Sequence, residues 1–122
     1  MSLEVYVADT SGSTVKISLV GRLDSNTSVI LERHVDELLA RPVRDLVVDL
    51  EHLKYISSAG VGELFRTRQR LQARGGHLGV INPQPGVRKV FEILQSLRDL
   101  SVFSSQEELD RYLDAMQRRH QG

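Results

Sequence analysis

Two serines, Ser57 and Ser58, stand where an apolar run gives way to a segment of helical spacing, in the stretch YISSAGVGELF (Tyr55–Phe65). A hydroxyl at such a junction has two uses. The first N–H groups of a helix have no partner within it, and the helix dipole adds partial positive charge. A serine there is a natural N-cap, worth about 1 kcal/mol. The same place also suits a phosphate, whose roughly two negative charges would lie over free N–H donors. The neighbouring residues favour the second use. Ala59, Gly60 and Gly62 strip bulk from the first turn, although glycine costs up to about 1 kcal/mol in a helix interior. This pattern predicts a bare surface that another macromolecule approaches closely, with a hydroxyl whose modification would block the approach.

Other chemistries find no support. The chain has no cysteine, which excludes disulfides, thiolate metal sites and cysteine nucleophiles. His34, His52, His77 and His120 are scattered, so no metal site is expected. No serine lies in a G-x-S-x-G elbow. The glycines of GVG (Gly60–Gly62) and RGGHLG (Arg74–Gly79) match neither phosphate-loop nor dinucleotide spacing. Asp49 and Asp24 do not make the acidic cluster of a phosphoacceptor receiver, because Asp49 lies inside an apolar run. No catalysis and no cofactor are therefore expected. Sixteen basic residues balance sixteen acidic ones, and FRTRQRLQAR (Phe65–Arg74) reads as a solvated helix face. Nucleic acid is not an expected partner. No apolar run approaches the roughly 20 residues of a membrane span. A cytoplasmic protein without direct membrane insertion is expected.

Stepwise periodicity supplies the elements that must hold the serines. Leu3, Val5 and Val7 alternate, as do Val15, Ile17 and Leu19, around a turn-rich break that predicts a β-hairpin. Leu31, Val35, Leu38 and Leu39 fall on one face of a helix from about Ser28 to Ala40, stopped by Pro42. Ser25, Asn26 and Thr27 are expected to cap it. DLVVDL (Asp45–Leu50) reads as a strand covered on both faces. Val61, Leu64, Phe65 and Leu71 make the next helix, closed by Gly75 and Gly76. HLGVI reads as a short buried strand, and Val87, Val90, Phe91 and Leu94 as a third helix. LSVF (Leu100–Phe103) is a candidate fifth strand. Ser105 and Glu108 form a capping box before a last helix carrying Leu109, Tyr112, Leu113 and Met116. The polar end beyond it is expected to fray. The fold class is α/β: one domain over residues 1–117 with a polar tail at 118–122. Its sheet is mixed but mostly parallel, four- to five-stranded, with an N-terminal hairpin and about four helices.

DLVVDLEHLKYISSAGVGELF resembles the signature of STAS domains, specifically the free-standing anti-sigma factor antagonists. VKISLVGRLDSNTSVIL resembles the second strand, G-x-L-D loop and first helix of that family, and GHLGVINPQPGVRKVFEILQSLRDLSVFSSQEEL resembles its ending. The resemblance covers nearly the whole chain and implies a STAS-like fold. It places the family's phosphoacceptor on Ser58, with Ser57 as rival, its acidic loop residue on Asp24 and its turn glycine on Gly60. The implied partner-binding residues are Asp24, Ser25, Asn26, Thr27, Ser57, Ser58, Ala59, Gly60 and Val61. It also implies two partners: an anti-sigma factor with serine-kinase activity, bound by the unphosphorylated form, and a serine phosphatase. Residue by residue, plainer readings stand alongside. Asp24 can be a turn residue, Val61 a core residue, and Tyr55 can pack under its own loop. Two departures are visible. Ser57 stands where the family often has Asp, and Gly86 stands at the expected start of the third helix. The alternative function is a STAS scaffold or small-ligand module, such as a soluble subunit of a membrane transporter.

Overall fold

A computed structural model describes residues 2–96 and 103–120. Its elements are β1 (Leu3–Ser11), β2 (Thr14–Leu23), α1 (Ser28–Leu39), β3 (Asp45–Ile56), α2 (Ser58–Ala73), β4 (His77–Ile81), α3 (Pro85–Ser96) and α4 (Gln106–His120). The sheet order is β1-β2-β3-β4, antiparallel between β1 and β2 and parallel between the others. The expected hairpin and four helices are present, and the described sheet has four strands. The candidate fifth strand falls mostly outside the described residues, Phe103 alone being seen, in a bend.

One face of the sheet carries the core. Val15, Ile17 and Leu19 of β2 and Leu46, Val48 and Leu50 of β3 are buried. They join Leu31 and Val35 of α1, Val61 and Leu64 of α2, Val87 and Val90 of α3, and Leu109 and Leu113 of α4 in one cluster. The alternate residues of β3, Asp45, Val47 and Asp49, are only partly buried. The expectation that β3 is covered on both faces is thus corrected. Val47 sits on the open side, where Lys16 pairs with Asp49 at 3.5 Å, and its place beside Val48 disguises an ordinary two-residue alternation. Strand β4 is corrected too. Among the described residues it pairs with β3 alone, and Val80 and Ile81 are exposed.

Three local features bring the site together. Gly21 has φ +112°, and a Cβ there would lie 2.4 Å from the Ser2 carbonyl oxygen. Only glycine fits this bend, where the β2–β3 register shifts. Pro85 opens α3 at the position where a missing N–H costs nothing, and Gly86 is buried in the first turn. At the other end of the chain, α4 runs to His120 and Gln117 is buried, so residues 117–120 are helix rather than a frayed tail. The Ser105 hydroxyl accepts the Glu108 N–H at 3.1 Å. The Glu108 carboxylate turns one residue further back than a reciprocal box requires, to the Ser104 N–H and hydroxyl.

Candidate functional site

The structure separates the two serines. Ser57 is the N-cap of α2, extended at φ −99° and ψ 174°, and its hydroxyl accepts the Gly60 N–H at 3.3 Å. Its own N–H donates to the Leu23 carbonyl at 2.9 Å, and the residue is 5% exposed. Ser58 is the first helical residue and is only partly buried. Its hydroxyl accepts from Gln106 Nε2 at 3.2 Å on the surface, and its N–H donates to Asp110 Oδ1 at 2.9 Å. The Ala59 N–H has no acceptor among the described residues. An exposed hydroxyl beside a free helix-terminal donor is the geometry in which an added anion would be stabilised.

The glycines of the turn do different work from one another. A Cβ on Gly60 would lie 2.7 Å from the Leu23 carbonyl oxygen, 2.8 Å from Leu23 Cγ and 2.9 Å from Ile56 Cγ1. Gly60 therefore lets α2 seat against the ends of β2 and β3. A Cβ on Gly62 would meet only Arg66 Nη1, at 3.8 Å. The bare surface expected from the sequence is thus made by Ala59 and Gly62. Gly60 and Val61, the latter 1% exposed, lie beneath it.

The Asp24–Thr27 loop is fixed from inside. Asp24 Oδ1 accepts the Asn26 N–H at 2.9 Å and the Thr27 N–H at 3.1 Å, a turn closed by its own aspartate. The Thr27 hydroxyl accepts the Asp24 N–H at 2.9 Å and donates to the Arg22 carbonyl at 2.8 Å. Thr27 is buried and makes no side-chain cap on α1. Capping of α1 by Ser25, Asn26 or Thr27 is therefore replaced by an aspartate turn, in which the Asp24 carbonyl also takes the Ser28 N–H at 2.8 Å. Ser25 and Asn26 stay exposed at the tip. Asp24 Oδ2 lies 3.9 Å from Arg22 Nε.

Helix α4 supplies residues that sequence reasoning missed. Gln117 Oε1 accepts the Ile56 N–H at 3.0 Å, and Gln117 Nε2 donates to the Ile56 carbonyl at 2.8 Å. Strand β4 stops pairing at Asp49, and this side chain pairs the N–H and C=O of the last residue of β3. A signal for Gln117 existed: it continues the Leu109–Leu113 stripe by one more step of four. Nothing in the spacing marked Asp110 or Gln106. Asp110 also lines a groove of about 620 Å³ with Tyr55, Glu107, Arg111 and Asp114. Arg22 stacks 3.9 Å above the Tyr55 ring. Burial, with the Asp114 and Asp110 carboxylates beside it, raises the Tyr55 pKa. Ser58 itself borders a groove of about 420 Å³ with Phe103, Ser105, Gln106 and Leu109. No group of three or more potential metal ligands occurs among the described residues.

The profile of the STAS domain family matches residues 6–109. The chain belongs to the STAS-domain family. This STAS domain is 29% identical over 106 residues to the anti-sigma-F factor antagonist RsfB of Mycobacterium tuberculosis, covering 80% of this chain and 86% of RsfB. It also resembles two solved structures of SpoIIAA, each at 26% identity, TM-score 0.63 and 83% coverage of the SpoIIAA chain. One is an anti-sigma factor antagonist in its unphosphorylated form, covering 74% of this chain. The other is the Bacillus cell fate determinant in the phosphorylated form, covering 75%. The STAS sheet with its N-terminal hairpin is the fold anticipated from the sequence. Within it, the end of β2 and the start of α2 meet directly, through the Ser57–Leu23 bond and the Gly60 contact. The loop after β2 and the Ser58 turn are consequently parts of one surface.

Proposed function

We propose that this STAS domain is an anti-sigma factor antagonist, a regulatory binding protein rather than an enzyme, with the Ser58 hydroxyl as its switch. The unphosphorylated form captures an anti-sigma factor and frees the sigma factor that factor had held. The partner, a kinase acting in the cytoplasm, transfers the γ-phosphoryl group of ATP to Ser58 Oγ. The P–O bond to ADP breaks as the Oγ–P bond forms, and the hydroxyl proton passes to a base on the kinase. Phosphate on Ser58 ends the capture, and a serine phosphatase restores the hydroxyl by hydrolysis.

The single observation that carries this reading is the division of labour at the turn. Ser57 is buried and occupied as the cap, while Ser58 presents its hydroxyl at the surface of the same helix end. Ser58, Ala59 and Gly62 with the exposed Ser25 and Asn26 form the docking face, and Asp24 and Thr27 hold the loop that presents it. Gly60 and Val61 act from below.

The test is a capture from native extract with wild type, Ser58→Ala and Ser58→Asp as baits, and phosphosite mapping on the recovered wild type. The expected result is a kinase-fold protein retained by the first two baits, lost by the third, with phosphate on Ser58. Equal recovery by all three baits and an unmodified Ser58 would overturn the switch in favour of a scaffold or ligand-binding STAS module.

A further inference from the structure

We propose that Gln106, the first residue of α4, orients the Ser58 hydroxyl for phosphoryl transfer. This role presupposes Ser58 as the modified residue and concerns what readies its hydroxyl to react. A serine hydroxyl has one proton to donate and two lone pairs to offer. On Ser57 a lone pair is turned inward, onto the Gly60 N–H. On Ser58 a lone pair takes the Gln106 Nε2–H at 3.2 Å, the hydroxyl's one hydrogen bond among the described residues. The amide nitrogen of Gln106 is a donor only and cannot receive the Ser58 proton. That proton and the second lone pair therefore stay free on a side chain that reaches the surface. Those are what a kinase requires of its acceptor: a proton for its base and an electron pair for the γ-phosphorus of ATP.

A single surface hydrogen bond would orient little if its donor wandered, but the backbone of Gln106 is fixed on both sides. Just before it, Ser105 caps α4, its hydroxyl accepting the Glu108 N–H at 3.1 Å. One turn on, Asp110 Oδ1 takes the Ser58 N–H at 2.9 Å. The same helix thus holds both the backbone and the side chain of this serine. Further along, Leu113 is fully buried and Gln117 clamps Ile56, two residues before Ser58. During transfer the Oγ–P bond forms, the bond from the γ-phosphorus to ADP breaks, and the hydroxyl proton passes to the kinase's base. Negative charge gathers on Oγ as the proton leaves, and an N–H already aimed at that oxygen stabilises it. Without this donor Ser58 turns among its staggered rotamers, of which a bound kinase can use one. Gln106 acts on the chemical step rather than on docking.

The experiment compares wild type with Gln106→Met, which keeps the length of the side chain and removes the donor, and with Gln106→Lys, which restores one. Three-bond couplings in the isotope-labelled chain read the Ser58 χ1 populations. The kinase recovered from native extract on the wild-type chain, supplied with ATP, gives kcat and KM for each. Expected is one dominant Ser58 rotamer in wild type and a mixture in Gln106→Met. In the methionine variant kcat should fall about tenfold with KM within about twofold, and Gln106→Lys should recover kcat to within about threefold of wild type. A Ser58 already averaged among rotamers in wild type would overturn the proposal, and so would a rise in KM alone, which assigns Gln106 to docking. No kinase recovered, or no phosphate on wild-type Ser58, sinks the switch reading and this role with it. Phosphate formed equally fast on wild type and Gln106→Met sinks this role alone.

Discussion

Gln117 and Ile56, 61 residues apart, share two hydrogen bonds between one side-chain amide and the backbone N–H and C=O of one residue. Ile56 is the last residue of β3 and is fully buried, so its N–H and C=O have no water to turn to. Replacing Gln117 by Met keeps most of the volume and removes both partners. The expected loss is about 2–4 kcal/mol, since each buried polar group left unpaired costs about 1–3 kcal/mol. Urea unfolding measures it, and a loss below about 0.5 kcal/mol would show that the clamp contributes nothing.

Substitution of the adjacent serines should have opposite signatures. Ser57→Ala removes a buried cap and is expected to cost about 1 kcal/mol. Ser58→Ala removes a surface contact to Gln106 and should shift stability by less than about 0.5 kcal/mol. Thermal or urea unfolding of the pair decides it. A larger loss for Ser58→Ala than for Ser57→Ala would reverse the assignment.

Gly60 and Gly62 make a second contrasting pair. Gly60→Ala drives a methyl into Leu23 and Ile56 and is expected to destabilise by about 1–3 kcal/mol. Gly62→Ala enters open space inside a helix and should stabilise by up to about 1 kcal/mol. If Gly62→Ala raises the melting temperature while weakening capture of the anti-sigma factor, the open surface there is a docking surface. Undiminished capture would remove Gly62 from the docking face.

Asp49 gives a pH dependence. The Glu51 N–H at 3.0 Å is the main reason its carboxyl pKa is lowered, with Asn82 and Lys16 assisting against the opposing effect of burial. A carboxylate with a depressed folded pKa contributes stability above its unfolded pKa and loses it as pH falls through the folded value. Asp49→Asn should be less stable than wild type near pH 7, and the gap should close below about pH 4. Urea midpoints across that range read it. A gap that stays constant down to pH 2 would rule out the ionised carboxylate as its source.

Periodicity made the helices and hairpin legible because buried aliphatic residues recur at the spacing of each element. Leu31, Val35, Leu38 and Leu39 needed nothing more. The same reasoning overstated the burial of β3 and β4, since Val47 and Ile81 look alike in sequence whether a helix covers them or not. Coverage is a property of the neighbours. The Ser58 turn was legible from residue type, but the division between Ser57 and Ser58 was not, because it depends on which hydroxyl faces the Gly60 N–H. The aspartate turn of Asp24 could have been read from DSNT, whose short polar side chains favour such turns. Asp110 could not, because a carboxylate on a polar helix face is ordinary until the fold sets it against Ser58.

Among the described residues the strand order of the sheet is also the order of the strands along the chain, and this bears on how the protein is made. Each strand pairs with one that has only just preceded it, so the sheet can assemble as the polypeptide leaves the ribosome. The clamp on Ile56 and the carboxylate over Ser58 both come from α4, the last described element to emerge. A nascent chain arrested before α4 is expected to show a formed sheet, by arrest-peptide force profiling, while the end of β3 and the start of α2 await their partners. The regulatory face is then the last part of the molecule to be finished.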